Sequence, residues 1–75
     1  MATPLSAEQL RTDVAELLAT APSEIGDDDD LLDHGLDSVR LMMLVERWRA
    51  AGVETDFAGL AEEPTLGGWR RRLLG

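Results

Sequence analysis

The sequence Gly35-Leu36-Asp37-Ser38 marks a point where a loop passes directly into a helix. Gly35 tolerates a positive φ and so allows a sharp turn. Asp37 is a favoured N-cap residue that suits the positive end of the helix dipole. The apolar residues that follow recur at the spacing of one helical face: Leu41, Leu44, Val45 and Trp48. Ser38 is therefore expected in the first turn of a helix, exposed and beside an acidic side chain.

Ser38 has two interpretations. A serine at the start of a helix is most often a cap. Asp37 already supplies the capping carboxylate, however, and this leaves the Ser38 hydroxyl free for contact with another molecule.

Chain length and composition restrict both the fold and the partners. The 75 residues form one small domain, expected over residues 6–75 after a flexible tail of residues 1–5. The sequence has no cysteine, so the fold must rest on helix packing. A formal net charge of −8 argues against nucleic acid and fits a protein that meets basic surfaces. No apolar run or signal peptide indicates a membrane protein or export, so the expected location is the cytoplasm.

The first helix is expected from about Ala7 to Thr20. Ser6 and Gln9 have the spacing of a capping box at its start. Pro22 and Ser23 are expected to stop it. One apolar face lies between these signals: Leu10, Val14, Leu17 and Leu18.

A long loop from Ala21 to Leu36 joins the first and second helices. Three apolar residues are expected to anchor it to the core: Ile25, Leu31 and Leu32. The run from Asp27 to Asp30 offers carboxylates, but it lacks the alternate ligand spacing, central glycine and terminal glutamate of an EF-hand loop. We therefore predict a solvated acidic turn and no metal site. His34 is assigned no role as a ligand or a base.

The second helix, from about Ser38 to Ala51, carries two apolar faces. One is the core face; Val39, Met42 and Met43 lie mostly on another side, next to Ser38. A helix buried over a wide arc is one interpretation. An exposed docking patch is the favoured one, because methionine adapts to several partners. Gly52 occupies the usual position just past a helix C-terminus.

A short third helix is expected through Phe57, Leu60 and Ala61, capped by Thr55 or Asp56. Phe57 offers core burial. The small residues of this helix, Gly59 among them, permit close approach by a partner.

The last helix is expected to begin at Pro64-Thr65. Its inner face comprises three residues: Leu66, Trp69 and Leu73. Arg70-Arg71-Arg72 complement the dipole at its C-terminal end. Gly67 and Gly68 each cost up to about 1 kcal/mol relative to alanine in a helix interior, and no sequence pattern accounts for the pair.

The chain resembles the phosphopantetheine-dependent carrier proteins. Gly35-Leu36-Asp37-Ser38-Val39, preceded by Asp30-Leu31-Leu32, is similar to the attachment motif of acyl and peptidyl carrier proteins. Four further segments resemble the aryl carrier proteins of catechol and salicylate siderophore assembly: Ser38-Val39-Arg40-Leu41-Met42, Glu46-Arg47-Trp48-Arg49, Asp56-Phe57 and Leu60-Ala61. The resemblance extends from about Leu10 to Leu74, and the downstream pattern makes the short Asp-Ser motif specific.

The resemblance implies an all-α fold, a small four-helix bundle of the acyl/peptidyl carrier protein type with a long first loop and a short third helix. It implies covalent 4′-phosphopantetheine, derived from coenzyme A, on Ser38, next to Asp37 and Gly35. In this family the third helix borders the serine. The residues expected to meet partners are Val39, Arg40, Met42, Met43, Phe57 and Gly59.

The implied partners are a phosphopantetheinyl transferase, an aryl-acid adenylating enzyme and a condensation or cyclisation domain, with no nucleic acid and no membrane. The implied cargo is 2,3-dihydroxybenzoate or salicylate, held as a thioester. The domain itself is expected to be non-catalytic, and monomeric in isolation. It is compatible with a free-standing protein, a piece of a larger synthetase or the tail of an isochorismatase-type enzyme.

Two other functions account for parts of the sequence. Catalysis by Ser38 is disfavoured, because the G-x-S-x-G nucleophile elbow is absent and His34 lies in a loop that gives no oriented base. The alternative is an unmodified acidic helical protein-interaction module that docks through Val39, Met42 and Met43. It differs from a carrier only in whether Ser38 is modified.

Overall fold

A computed structural model describes residues 5–74, which form four α-helices and two 3₁₀ turns. The helices are α1 (Ala7–Leu17), α2 (Ser38–Ala50), α3 (Phe57–Glu62) and α4 (Leu66–Leu74), and the turns, Pro22–Glu24 and Leu31–His34, lie in the first connection. No strand occurs in this part of the chain. The all-α four-helix bundle with a long first loop and a short third helix is confirmed. None of the helices between residues 5 and 74 combines the length and the apolar character that a membrane span requires.

The core forms where the predicted apolar faces meet. Trp48 of α2 and Trp69 of α4 pack edge to face, with ring centroids 5.9 Å apart and planes at 82°. Trp69 Nε1 donates a hydrogen bond of 2.8 Å to the Leu60 carbonyl oxygen, which ties α4 to α3. The other large buried side chains come from α1 to α4 and the first loop: Leu10, Val14, Ile25, Leu31, Leu36, Leu41, Leu44, Val45, Leu60 and Leu66.

Leu5 corrects the predicted tail of residues 1–5. Its side chain is only 3% exposed and belongs to the core, and residues 1–4 lie outside the described residues. Ser6 is the N-cap of α1, so Leu5 and Leu10 occupy the two positions of a hydrophobic staple, and both are buried. The chain is thus held in the bundle two residues before α1 begins.

The ends of α1 differ in part from the sequence prediction. Ser6 Oγ accepts a hydrogen bond of 3.0 Å from the Gln9 N–H, as a capping box requires, but the Gln9 amide reaches forward to Asp13 instead of back to Ser6. The helix ends at Leu17 and not near Thr20. Ala19 adopts a positive φ of 56°, which turns the chain out of the helix before Pro22 is reached.

The long loop is anchored by a different pair of leucines than predicted. Ile25 and Leu31 are buried as expected, but Leu32 is 57% exposed and Leu36 is buried in its place. Successive side chains of a 3₁₀ turn point about 120° apart, because the turn has three residues per repeat. Leu31 and Leu32 therefore cannot both face the core.

Two caps that the sequence indicated are present at the α2–α3 connection. Gly52 has a φ of 94°, and the N–H groups of Gly52 and Val53 donate to the carbonyls of Arg49 and Trp48, the pattern of a Schellman motif. Asp56, rather than Thr55, caps α3, because its Oδ1 accepts a hydrogen bond of 2.7 Å from the Gly59 N–H.

The long loop crosses the first turn of α4 at Gly67, which explains the first glycine of the pair Gly67-Gly68. The Gly67 N–H donates a hydrogen bond of 2.9 Å to the Asp27 carbonyl oxygen, and a Cβ on Gly67 would lie 3.2 Å from that oxygen. Gly67 is buried, so a small residue there permits a close approach of the loop that the sequence did not reveal. A Cβ on Gly68 would meet only the side chain of Glu63, which is exposed and can move aside, so the structure gives no comparable reason for the second glycine.

The arginines of α4 pair with particular acids besides lying near its C-terminal end. Arg70 is 3.4 Å from Asp27, and two further pairs link α4 to the end of α3 and the residue after it: Arg71–Glu63 at 2.7 Å and Arg72–Glu62 at 3.7 Å. These pairs are exposed, and each is therefore expected to contribute well under about 1 kcal/mol.

Asp13 is a buried carboxylate that the sequence analysis did not identify. It is 7% exposed, its Oδ2 accepts a hydrogen bond of 2.9 Å from Trp48 Nε1, and its Oδ1 accepts one of 2.7 Å from Gln9 Nε2. Arg47 Nη1 lies 3.6 Å from Oδ1. The carboxylate therefore joins α1 to α2 and satisfies the indole N–H of a core tryptophan.

We expect Asp13→Ala to lower the free energy of unfolding by about 2–3 kcal/mol, because the Trp48 N–H would be buried without an acceptor. Urea denaturation followed by circular dichroism measures the change. Thr12→Ala, at the exposed neighbouring position, is the control and should change stability by less than about 0.5 kcal/mol. Equal effects of the two substitutions would show that the Asp13–Trp48 bond contributes nothing specific.

Candidate functional site

Ser38 is the first residue of α2 and follows a turn that is held by backbone hydrogen bonds from Gly35 and Leu36. Gly35 adopts φ 99° and ψ 9°, and its N–H donates a hydrogen bond of 3.2 Å to the Leu32 carbonyl oxygen. Leu36 is buried in the core, and its N–H donates to the Leu31 carbonyl oxygen at 3.0 Å. The chain is therefore anchored two residues before Ser38, whose own side chain is exposed.

Asp37, and not Ser38, caps α2. Asp37 Oδ1 accepts a hydrogen bond of 2.9 Å from the Arg40 N–H, and Oδ2 accepts one of 2.8 Å from Arg40 Nη1. The Arg40 backbone N–H, together with the nearby Arg40 charge, holds the pKa of Asp37 below its ordinary value. The ionised Asp37 cap therefore stabilises the fold fully at a pH above the ordinary pKa of an aspartate. This stabilisation is lost as the pH falls through the lowered pKa of Asp37.

The Ser38 hydroxyl forms no hydrogen bond to any residue in the range 5–74. A capping serine would accept a bond from a backbone N–H two or three residues on, as Ser6 does from Gln9. Ser38 is therefore an exposed hydroxyl whose hydrogen-bonding capacity the described part of the chain does not use.

Gly35 and Ala19 both adopt a positive φ, and substitutions at these two positions should change stability in opposite directions. No atom lies within 4 Å of a Cβ built on Gly35, so Gly35→Ala costs only the positive φ, about 1–2 kcal/mol of stability. Ala19 already bears this cost, so Ala19→Gly should stabilise the domain by about 0.5–1 kcal/mol. Thermal unfolding of both variants measures the two signs. A stabilising Gly35→Ala would mean that the turn before Ser38 does not need a left-handed residue.

His34 is bonded to Asp29 and not to Ser38. Its Nε2 lies 3.0 Å from Asp29 Oδ2, which also accepts a hydrogen bond of 2.8 Å from the Gly26 N–H. The Gly26 N–H is the main cause of a lowered pKa of Asp29, and His34 adds to it. The serine–base hydrogen bond that a catalytic nucleophile requires is not formed within the described residues.

The acidic run is a solvent-exposed turn as predicted, since Asp28, Asp29 and Asp30 are all exposed, and some of its carboxylates also accept hydrogen bonds. Asp27 accepts from Arg11 of α1 and Arg70 of α4, and Asp30 Oδ1 accepts from the Leu32 N–H at 2.9 Å. No group of three or more His, Asp or Glu side chains in residues 5–74 is arranged to hold a metal ion.

The predicted docking patch, which comprises Val39, Met42 and Met43, is exposed to 70%, 43% and 52%. The core face of the same helix is buried, so the prediction that α2 carries two distinct apolar faces is confirmed. Arg40 is exposed beside the patch, with its guanidinium on Asp37. Whether partners bind there stays a prediction.

The two predicted docking residues of α3 are placed differently from the patch. Phe57 is half-buried and packs against the core. Gly59 is buried, and a Cβ there would lie 2.6 Å from Arg72 Nε, so the Arg72 side chain covers it. We therefore leave Gly59 out of the proposed docking surface.

An apolar cleft of about 150 Å³ opens directly beside Ser38. No local sequence pattern predicts this cleft, because its walls come from three separate segments. Its lining residues are Leu32, Leu36, Asp37, Ser38, Leu41, Phe57, Ala61 and Pro64. A larger groove of about 600 Å³ between the α2–α3 connection and α4, at Arg49, Val53 and Arg72, contains none of the predicted site residues.

Comparison with known proteins gives matches over most of the chain. Residues 8–73 match the family described as "Phosphopantetheine attachment site". The chain is similar to an isochorismatase of Bacillus subtilis (strain 168), with 53% identity over 88% of this chain and 21% of the relative. It is similar to a pyochelin synthetase of Pseudomonas aeruginosa (strain UCBPP-PA14), with 55% identity over 83% of this chain and 4% of the relative. It is also similar to a phenyloxazoline synthase of Mycobacterium sp. (strain MCS), with 44% identity over 88% of this chain and 6% of the relative.

The chain thus spans about a fifth or less of the length of these relatives. No solved structure gives a significant match to it.

Proposed function

The chain belongs to the phosphopantetheine attachment-site family, and we propose that Ser38 is the residue that carries the prosthetic group. The chain is a non-catalytic carrier domain whose covalent cofactor is 4′-phosphopantetheine. One observation supports Ser38 as the attachment point: its hydroxyl is exposed and unbonded at the start of α2, while Asp37 performs the capping.

In the proposed loading step, Ser38 Oγ attacks the phosphorus of coenzyme A that bears the pantetheine. The bond from that phosphorus to the bridging anhydride oxygen breaks, and adenosine 3′,5′-bisphosphate leaves. The hydroxyl proton passes to a base of the phosphopantetheinyl transferase, because no basic side chain of the described residues is bonded to Ser38. The positive end of the α2 dipole favours the phosphodiester that forms there.

We propose that the cargo is an aryl acid, 2,3-dihydroxybenzoate or salicylate, used in siderophore-type nonribosomal peptide synthesis. Support comes from the downstream sequence pattern and from the names of two relatives, a pyochelin synthetase and a phenyloxazoline synthase. An adenylating enzyme supplies the acid as its acyl-adenylate. The thiol of the arm displaces AMP to form the thioester, and a condensation or cyclisation domain accepts the acyl group.

We propose that the docking patch receives these partners in turn. Exposed methionines adapt to differently shaped surfaces, and Met42 lies one helical turn from Ser38. Arg40 and the half-buried Phe57 would contact the same partners at the edge of the patch. The domain works as a monomer in the cytoplasm, where coenzyme A and ATP are available.

The test is the intact mass of the domain after incubation with coenzyme A and a broad-specificity phosphopantetheinyl transferase. We expect the mass of a single phosphopantetheine to be added. Circular dichroism on the same sample establishes that it is folded. A folded sample that gains no mass would contradict attachment and favour the unmodified interaction module.

A further inference from the structure

Arg40 brings a positive charge to the residue that precedes Ser38. Its Nη1 donates a hydrogen bond of 2.8 Å to Oδ2 of Asp37. The long loop before this point, residues 21–36, contains no lysine or arginine and includes the acidic run. Ser38 therefore lies at the end of a negatively charged segment, and Arg40 is the first arginine that follows this segment in the chain.

The guanidinium group of Arg40 has unused hydrogen-bonding capacity. An arginine side chain carries five N–H donors, and the side chain of Arg40 makes one hydrogen bond to the described residues, from Nη1 to Asp37. The Arg40 side chain is 47% exposed, so its other donors are open to a second anion. A guanidinium group suits this role, because its planar fork of donors can bond carboxylate and phosphate oxygens.

We infer that Arg40 binds the phosphodiester of the prosthetic group and bridges it to Asp37, an inference that rests on the proposed attachment at Ser38. Side chains two positions apart on a helix do not normally face each other. The Arg40 side chain, however, folds back to the N-cap residue, so its guanidinium already lies at the end of α2 where Ser38 begins the helix. The phosphorus would be bonded directly to Ser38 Oγ, next to the carboxylate that Arg40 contacts.

The charges at the start of α2 explain why the phosphodiester needs Arg40. A phosphodiester is negatively charged at neutral pH and would form beside the Asp37 carboxylate, so two like charges would repel each other. The α2 dipole supplies the equivalent of only about half a positive charge at this end of the helix, and the backbone N–H of Arg40 is already bonded to Asp37 Oδ1. The guanidinium supplies the full positive charge that balances the second anion.

Two matched substitutions on α2 separate this contact from a general effect of charge. Arg40→Gln removes the guanidinium but keeps the backbone N–H that bonds to Asp37, so the cap remains. Glutamine and arginine also have similar helix propensities. Arg49→Gln makes the same change in charge in the last turn of the same helix, at an exposed arginine that forms no ion pair within residues 5–74.

The first test is NMR on the domain before and after loading, with loading established by intact mass. We expect loading to shift the Nε–Hε cross-peak of Arg40 and to leave that of Arg49 in place. The phosphorus resonance of the loaded domain should move in Arg40→Gln and stay unchanged in Arg49→Gln. If the phosphorus resonance is the same in both variants, the inference is overturned and the attachment stands, whereas a domain that gains no mass overturns both.

The second test is the change in Tm that loading causes in each variant. In Arg40→Gln this change should be more negative than in the unsubstituted domain by roughly 2–4 °C, because the phosphodiester would lose an exposed ion pair. Arg49→Gln should match the unsubstituted domain. The difference should disappear in about 1 M sodium chloride, where charges are screened over about 3 Å. Equal changes in the two variants, or a difference that persists at high salt, would overturn the inference.

Discussion

Ser38→Ala is expected to abolish the addition of phosphopantetheine completely while leaving the fold intact. The substitution removes the oxygen that forms the phosphodiester bond. It removes no hydrogen bond to any described residue, and the Asp37 cap of α2 remains. Alanine is also the best helix former, so α2 is not weakened. Intact mass after incubation with coenzyme A and the transferase measures the loss, and circular dichroism measures the fold.

Ser6→Ala is the matched control, because Ser6 and Ser38 are both serines at the start of a helix. Ser6 Oγ caps α1 through the Gln9 N–H, so its loss should cost about 1 kcal/mol of stability. Loading should continue at the normal rate. Ser38→Ala should thus be stable but unloaded, whereas Ser6→Ala should be less stable but loaded. A Ser38→Ala domain that unfolds would show a structural role, and one that still gains mass would place attachment at another serine, such as Ser23.

Met42→Asp is expected to reduce acyl transfer between the loaded domain and its partners by about 10–100-fold. Met42 lies at the centre of the docking patch, and a partner that covers the patch would have to desolvate the new carboxylate. Tenfold corresponds to about 1.4 kcal/mol, and an unpaired charge at the centre of an interface costs at least this much. The side chain is 43% exposed and lies outside the core, so stability should change by less than about 0.5 kcal/mol.

The measurement is the rate of aryl transfer from the adenylating enzyme to domain that has been fully loaded with phosphopantetheine beforehand. Thr12→Asp is the control, because it makes the same change in charge at an exposed position of α1, outside the patch. Normal rates for Met42→Asp with every partner would refute the docking patch. Equal losses in both variants would point to net charge instead of a local contact.

The elements that could be predicted from the sequence depend on residues close together along the chain. The core face of α2 follows from the spacing of Leu41, Leu44, Val45 and Trp48, and all four are buried. The caps at Ser6, Asp37, Asp56 and Gly52 involve partners no more than four residues away. The same locality accounts for the site, because the Gly35 turn, the Asp37 cap and the exposure of Ser38 all lie within one short segment.

Other features depended on contacts between segments that are distant in the chain. Asp13 and Trp48 are 35 positions apart, so nothing near Asp13 showed that it would be buried. Gly67 contacts the backbone of Asp27, which only the path of the long loop brings to α4. Gly59 of α3 lies under the Arg72 side chain only because α3 and α4 meet in the folded bundle.

The cleft beside Ser38 shows this division most clearly. The sequence alone determined that a hydroxyl would stand free at the start of a helix, because a cap and a helical face are set by neighbours three or four residues apart. Only the tertiary structure decided that Leu32 turns outward and that Phe57, Ala61 and Pro64 come to lie beside Ser38. Such packing minimises the exposed apolar area of the whole bundle, and that quantity is not defined for any single segment.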